Sequence, residues 1–152
     1  PNLSFLDVKA IDILEKFLAF EMLENIESID IDTPGAKGTL AIKRGNNETY
    51  YLDKDIFLEE GAFKSMFQVV IGLGADGFMT KGYDKNKLLG TITYHYVKGG
   101  TKVLKFYPYD EINVAAEVDG NATFYMKKTK LSDLEGYLNN LRANPGERVQ
   151  PR

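Results

Sequence analysis

The sequence predicts a single α+β domain in which antiparallel β-meanders are each followed by a covering helix. The unit occurs twice, and the expected order is α-βββ-α-ββββ-α. Three observations carry this reading. Apolar and polar residues alternate in short runs joined by turns containing Gly, Pro or Asn. Stretches with apolar residues three and four positions apart follow those runs. The 152 residues, 43% hydrophobic and 27% charged, suffice for one core but not comfortably for two domains.

Ile11, Leu14, Phe17 and Leu18 fall at helical spacing with Asp12, Glu15 and Lys16 between them. A helix is therefore expected over 7–24, with Asp7 accepting from the free amides of its first turn. Alternation takes over from Ile26 to Asp32 and stops at Thr33-Pro34-Gly35. Strands follow over 39–43 and 48–53, separated by Gly45-Asn46-Asn47. Connections this short require antiparallel pairing, since a parallel crossover needs a long link.

Phe63, Met66, Phe67, Val70 and Ile71 form the stripe of a second helix over 59–71, which Gly72, Gly74 and Gly77 end. The second meander is expected as four strands over 90–98, 101–107, 112–118 and 122–127. Its turns are a two-residue Gly99-Gly100 loop and Asp119-Gly120. Ser132 is expected to cap a last helix to Leu141, with Leu134, Tyr137, Leu138 and Leu141 on one face. The meander-helix units thus cover 26–72 and 90–141 within a domain of residues 1–143. Residues 144–152, opening on Asn144-Pro145-Gly146, are expected to be a mobile tail.

Composition narrows function. Lys plus Arg number 19 against 22 for Asp plus Glu, a net charge of −3, which disfavours a nucleic-acid binder needing a dense cationic face. Residues 1–32 carry a local net of −6, expected as the solvated face of the first helix. Cysteine is absent and His95 is the single histidine, so thiolate chemistry and multi-histidine metal sites are excluded. No stretch reaches the roughly 18 apolar residues of a membrane helix. The opening Pro1-Asn2, lacking Met, is expected of a processed chain.

Each chemical constellation meets a plainer reading. Gly72-Leu73-Gly74-Ala75-Asp76-Gly77 matches G-x-G-x-x-G, but a helical pattern precedes it and no acid lies between Asp84 and Asp110 to hold a ribose. A helix end followed by a turn is preferred, and no cofactor is expected. Asp53, Asp55 and Glu60 suggest a calcium loop, yet Leu58 stands where its glycine belongs. His95 lies mid-strand, and Ser4, Ser28, Ser65 and Ser132 occupy no nucleophile-elbow sequence. Glu59-Glu60 and Asp110-Glu111 are expected to face water rather than to work as paired carboxylates.

Aromatic density is the remaining signal, with nine Tyr, nine Phe and no Trp. Tyr94, Tyr96, Tyr107 and Tyr109 in the second meander are the candidate ligand or partner surface, set against cross-strand packing as the alternative.

The runs Ile26-Glu27-Ser28-Ile29-Asp30-Ile31, Gly38-Thr39-Leu40-Ala41-Ile42-Lys43-Arg44 and Glu48-Thr49-Tyr50-Tyr51-Leu52 lead to Leu73-Gly74-Ala75-Asp76. With Val118-Asp119-Gly120, Ala122-Thr123-Phe124-Tyr125-Met126 and the helix over 131–141, they resemble the domain-of-unknown-function 4340 family of bacteria. The resemblance spans about residues 26–141 and carries no catalytic residues. It implies an extracytoplasmic, cell-envelope protein, membrane-tethered through a segment outside these residues and associated with ABC-type transport components. The expected function is accordingly a non-enzymatic interaction module with a protein partner from a transport or envelope complex. The alternative is a carbohydrate- or peptide-binding domain using the tyrosine-rich sheet face.

Overall fold

The structure, a computed structural model, describes residues 18 and 20–149. Among these residues the fold is α+β, with one antiparallel sheet of nine strands and two α-helices. The strands are β1 (Ile26–Thr33), β2 (Ala36–Lys43), β3 (Thr49–Leu52), β4 (Ile56–Leu58), β5 (Gly77–Phe78), β6 (Gly90–Tyr96), β7 (Thr101–Pro108), β8 (Asn113–Val118) and β9 (Asn121–Lys127). The helices are α1 (Glu60–Ile71) and α2 (Lys128–Ala143). Strand order is β4-β3-β2-β1-β6-β7-β8-β9-β5, so the seam between the two meanders is the antiparallel β1–β6 pair.

Alternation decides which face each strand buries. Ile29 and Ile31 of β1, Leu40 and Ile42 of β2, Tyr50 and Leu52 of β3, Ile92 and Tyr94 of β6, and Leu104 and Phe106 of β7 share the inner face and are all buried. Both helices close over that face. From α1, Ala62, Phe63, Met66, Phe67 and Val70 are buried, and the Phe63 ring stacks on Tyr50 with centroids 4.5 Å apart. From α2, Leu131, Leu134, Leu138 and Leu141 supply the matching stripe.

Several expectations are corrected. The helix expected over 7–24 lies mainly outside the described residues. Its described end is extended at Met22 and continues as a 3-10 turn over Leu23–Asn25. The order βββ-α becomes ββββ-α, because a three-residue β4 pairs with β3 after a turn in which Asp53 and Lys54 both take positive φ. β2 begins at Ala36 rather than residue 39, directly after the Pro34-Gly35 turn. The Gly99-Gly100 loop is longer than two residues: the Tyr96 amide donates to the Gly100 carbonyl at 3.2 Å and the Gly99 amide to the Tyr96 carbonyl at 2.9 Å, so Val97 and Lys98 belong to the turn as well.

Ser132 is not a cap. α2 starts directly after β9, the Lys128 amide donates to the Ile112 carbonyl at 2.9 Å, and Ser132 lies one turn inside the helix. Nor does α2 cover only its own meander. Beyond its first turns it runs over β2 and against α1. Glu135 accepts from the Gly35 amide at 2.6 Å, Asn139 donates to the Gly35 carbonyl at 3.0 Å, and Arg142 reaches Asp53 at 2.8 Å. These three side chains, at helical spacing, clasp the β1–β2 and β3–β4 turns of the opposite half.

Residues 144–149, read from sequence as tail, run along α1. The Glu59 amide donates to the Pro145 carbonyl at 3.2 Å, the Val149 amide to Ser65 Oγ at 2.8 Å, and Val149 is buried.

Candidate functional site

The outer face of the sheet is divided. Over β7, β8 and β9 it is covered by the segment joining β5 to β6. Over β3, β2, β1 and β6 no helix lies on it among the described residues.

Tyr83, from the joining segment, lies on Tyr107 with ring centroids 5.2 Å apart, and its hydroxyl donates to Glu117 Oε2 at 3.1 Å. Burial first, and then the bond to Glu117, hold the Tyr83 phenol above its ordinary pKa. Tyr109 stacks on Tyr125 at 5.5 Å and accepts the Thr80 amide at 2.8 Å. That bond to Thr80 lowers the Tyr109 pKa. Beneath these rings, Ala115 is fully buried, and Asn113 and Glu117 retain only 7% and 8% of their exposure.

Asp76 anchors the edge beside this cluster. Its carboxylate accepts the Lys127 amide at 2.9 Å and pairs with Lys130 at 3.1 Å. Burial pushes its pKa upward, but the bonds from Lys127 and Lys130 outweigh it, and the carboxyl stays below its ordinary range.

The glycine run that matched a dinucleotide pattern is thereby accounted for. Gly72 ends α1 with φ −83, where an added Cβ would stand 2.9 Å from the Gln68 carbonyl, and Gly77 yields to the Tyr125 ring. The chain then enters β5 rather than a helix. Asp53 is likewise occupied, by Arg142 and by the Thr39 amide at 3.1 Å. Among the described residues, no group of three or more His or acidic side chains is placed to hold a metal ion.

The open half carries a polar pair. His95 Nε2 lies 2.7 Å from Asp30 Oδ2, and Thr39 donates to Asp30 Oδ1 at 2.8 Å. Register places them. Asp30 pairs with Thr39 on one side and Thr93 on the other, while His95 stands opposite Ser28. The same register draws a row across five strands: Phe57 opposite Tyr51, Tyr51 opposite Ala41, Ala41 opposite Ser28, and Ser28 opposite His95. Its aromatic end is firm, with Tyr51 and Phe57 edge to face at 6.0 Å and the Lys43 ammonium 4.4 Å from the Tyr51 centroid. At about 4.8 Å per strand, Tyr51 and His95 stand roughly 14 Å apart. They flank a shallow trough floored by Ala41 and Ser28.

The four tyrosines singled out by sequence do not share a surface. Tyr94 is fully buried on the inner face, where desolvation raises its pKa strongly. Tyr96, also inward, donates to Glu21, which pairs with Lys102 at 3.5 Å. Desolvation, and then the bond to Glu21, raise the Tyr96 pKa. Tyr107 and Tyr109 lie outward, beneath and beside the joining segment. The sequence reading missed Tyr51, Phe57 and Tyr83. Tyr51 was within reach, since parity places it opposite the core residues Tyr50 and Leu52.

Compared with known protein families, with curated proteins and with solved structures, the chain gives no match.

Proposed function

We propose that the chain is a non-enzymatic interaction module and that a protein partner docks on the open half of the sheet. The observation that carries this reading is the trough bounded by Tyr51 and Phe57 on one side and by His95 and Asp30 on the other. Phe57 is 54% exposed and packs edge to face on Tyr51, which in turn stands beside Ala41, so an aromatic pair is presented to solvent next to small side chains. Interfaces take much of their energy from a few aromatic anchors packed into such relief. The extracytoplasmic, membrane-tethered setting and a partner from an ABC-type transport or envelope complex rest on the family resemblance. An internal duplication belongs to the same reading. It is supported by the strand order, in which β1–β4 with α1 and β6–β9 with α2 run outward in opposite directions from the β1–β6 seam.

Photo-crosslinking tests the docking face. A photoreactive residue at Ala41, within the trough, is expected to give a discrete crosslinked species in the native envelope. That species should vanish when Phe57→Ser and Tyr51→Ala are added. The same residue at Lys64, on the exposed side of α1, should give none. Crosslinking from position 64 alone, or equally from both positions, would contradict the reading.

A further inference from the structure

Two connections at one end of the sheet carry a motif that the docking face does not use. Asn47-Glu48-Thr49 and Asn121-Ala122-Thr123 both read Asn-x-Thr with no proline between. That spacing is the acceptor pattern of asparagine-linked glycosylation, in which the transferring enzyme reads a hydroxyl two positions beyond the asparagine. No other described asparagine has Ser or Thr at that place. The pattern recurs at Asn2-Leu3-Ser4, outside the described residues.

Both acceptors face solvent. Asn47 lies in the loop joining β2 to β3, and Asn121 opens β9 directly after the Asp119-Gly120 turn. Neither side-chain amide takes part in a hydrogen bond among the described residues, and the Thr49 and Thr123 hydroxyls are equally unengaged. Asparagines with structural work behave differently. Asn113 Nδ2 donates to Asp110 at 3.0 Å and Asn139 Nδ2 to the Gly35 carbonyl at 3.0 Å, and neither is followed by a hydroxyl two places on. Space beside both acceptors is open, since a Cβ added at Gly45 or at Gly120 would meet nothing within 4 Å.

Strand direction brings the two together. β2 and β8 run the same way through the chain of antiparallel pairs β2–β1–β6–β7–β8, so the connections that follow them emerge at the same end of the sheet. The clasp of α2 on Gly35 and Asp53 sits at the other end. Bulky hydrophilic groups on Asn47 and Asn121 would therefore crown one end and leave the clasp untouched.

We propose that Asn47 and Asn121 are acceptors for an N-linked oligosaccharide. The proposal rests on the extracytoplasmic setting given under the proposed function, because this modification belongs to secreted chains. The donor is a polyprenyl-diphosphate oligosaccharide. Asparagine Nδ2 attacks its anomeric carbon, forming the C–N bond. The bond from that carbon to the diphosphate oxygen breaks, the lipid diphosphate leaves with the electron pair, and one Nδ2 proton passes to a carboxylate of the transferase. Asn121 pairs with Val118, so transfer there accompanies translocation, before the β8–β9 hairpin closes.

The test translates the full chain behind a cleavable leader into rough microsomes, which supply transferase and donor, and maps glycopeptides by mass spectrometry. Leader cleavage marks the chains that have entered. Asn47 and Asn121 are each expected to carry a glycan, and the exposed Asn46 none. Thr49→Ala should abolish the glycan at Asn47 alone and Thr123→Ala that at Asn121 alone, while Thr49→Ser and Thr123→Ser should retain each. A loss confined to one site is not what misfolding produces. A bare Asn47 or Asn121 in leader-cleaved chains, or a glycan that survives its Thr→Ala change, would overturn the proposal. So would a native chain that protease reaches from outside the cell and that is bare at both positions. A native chain shielded inside the cell would instead contradict the extracytoplasmic setting, and the microsome result alone would then decide the acceptor assignment.

Discussion

Phe63→Ala is expected to lower the unfolding free energy by about 3–5 kcal/mol, read as a fall in the urea midpoint at unchanged slope. The residue is 1% exposed and joins both layers of the domain. Its ring stacks on Tyr50 of β3 at an interplanar angle of 23°, and Phe67 of the next helical turn lies 6.3 Å away. Alanine removes the ring and leaves a cavity between helix and sheet that a nine-stranded scaffold cannot close by collapse. A loss below about 1 kcal/mol would mean that α1 is not seated on β3 as described.

Gly90→Val is expected to cost about 3 kcal/mol, the upper end of the range for overpacking a buried position. Gly90 is the first residue of β6, and an added Cβ would stand 2.9 Å from the Asp32 carbonyl and 3.2 Å from the Thr33 Cα. Both obstacles are backbone, so relief requires the two strands of the β1–β6 seam to part where the halves of the sheet meet. Gly82 is the control, for there an added Cβ meets nothing within 4 Å and Gly82→Ala should leave the melting temperature nearly unchanged. Equal effects at the two glycines would contradict the close approach at the seam.

Most strands and α1 were legible because local signals sufficed. The Asp119-Gly120 turn takes φ of 49 and 90, the left-handed pair that a two-residue hairpin demands. The α1 stripe declares itself through apolar spacing alone. β4 and β5 were not legible, since three and two residues are too few to show a period. The start of α2 escaped because Lys127 and Lys128 carry no capping signature, and the amides there are satisfied by Asp76 and Ile112 from distant segments.

The site was less legible than the fold. Separating Tyr94 and Tyr96 from Tyr107 and Tyr109 required knowing that Tyr94 stands opposite Lys102, which places even-numbered residues of β7 on the inner face and Tyr107 on the outer. The Asp30–His95 contact spans 65 positions and depends on the β1–β6 register, which no turn between them specifies. Glu117 looks like an ordinary strand carboxylate until Tyr83 is laid over it.

Among the described residues the outer face divides into a half covered by the β5–β6 segment and a half that no helix covers, a division that underlies the proposed docking face, and two alanines report on it directly. Ala41 and Ala115 both point outward, one on β2 within the trough and the other on β8 beneath the tyrosines. With alanine methyls isotopically labelled, a soluble gadolinium chelate should broaden the Ala41 methyl strongly and leave the Ala115 methyl nearly untouched, as it leaves the core methyl of Ala116. An Ala41 methyl as protected as that of Ala115, or an Ala115 methyl as exposed as that of Ala41, would contradict the division.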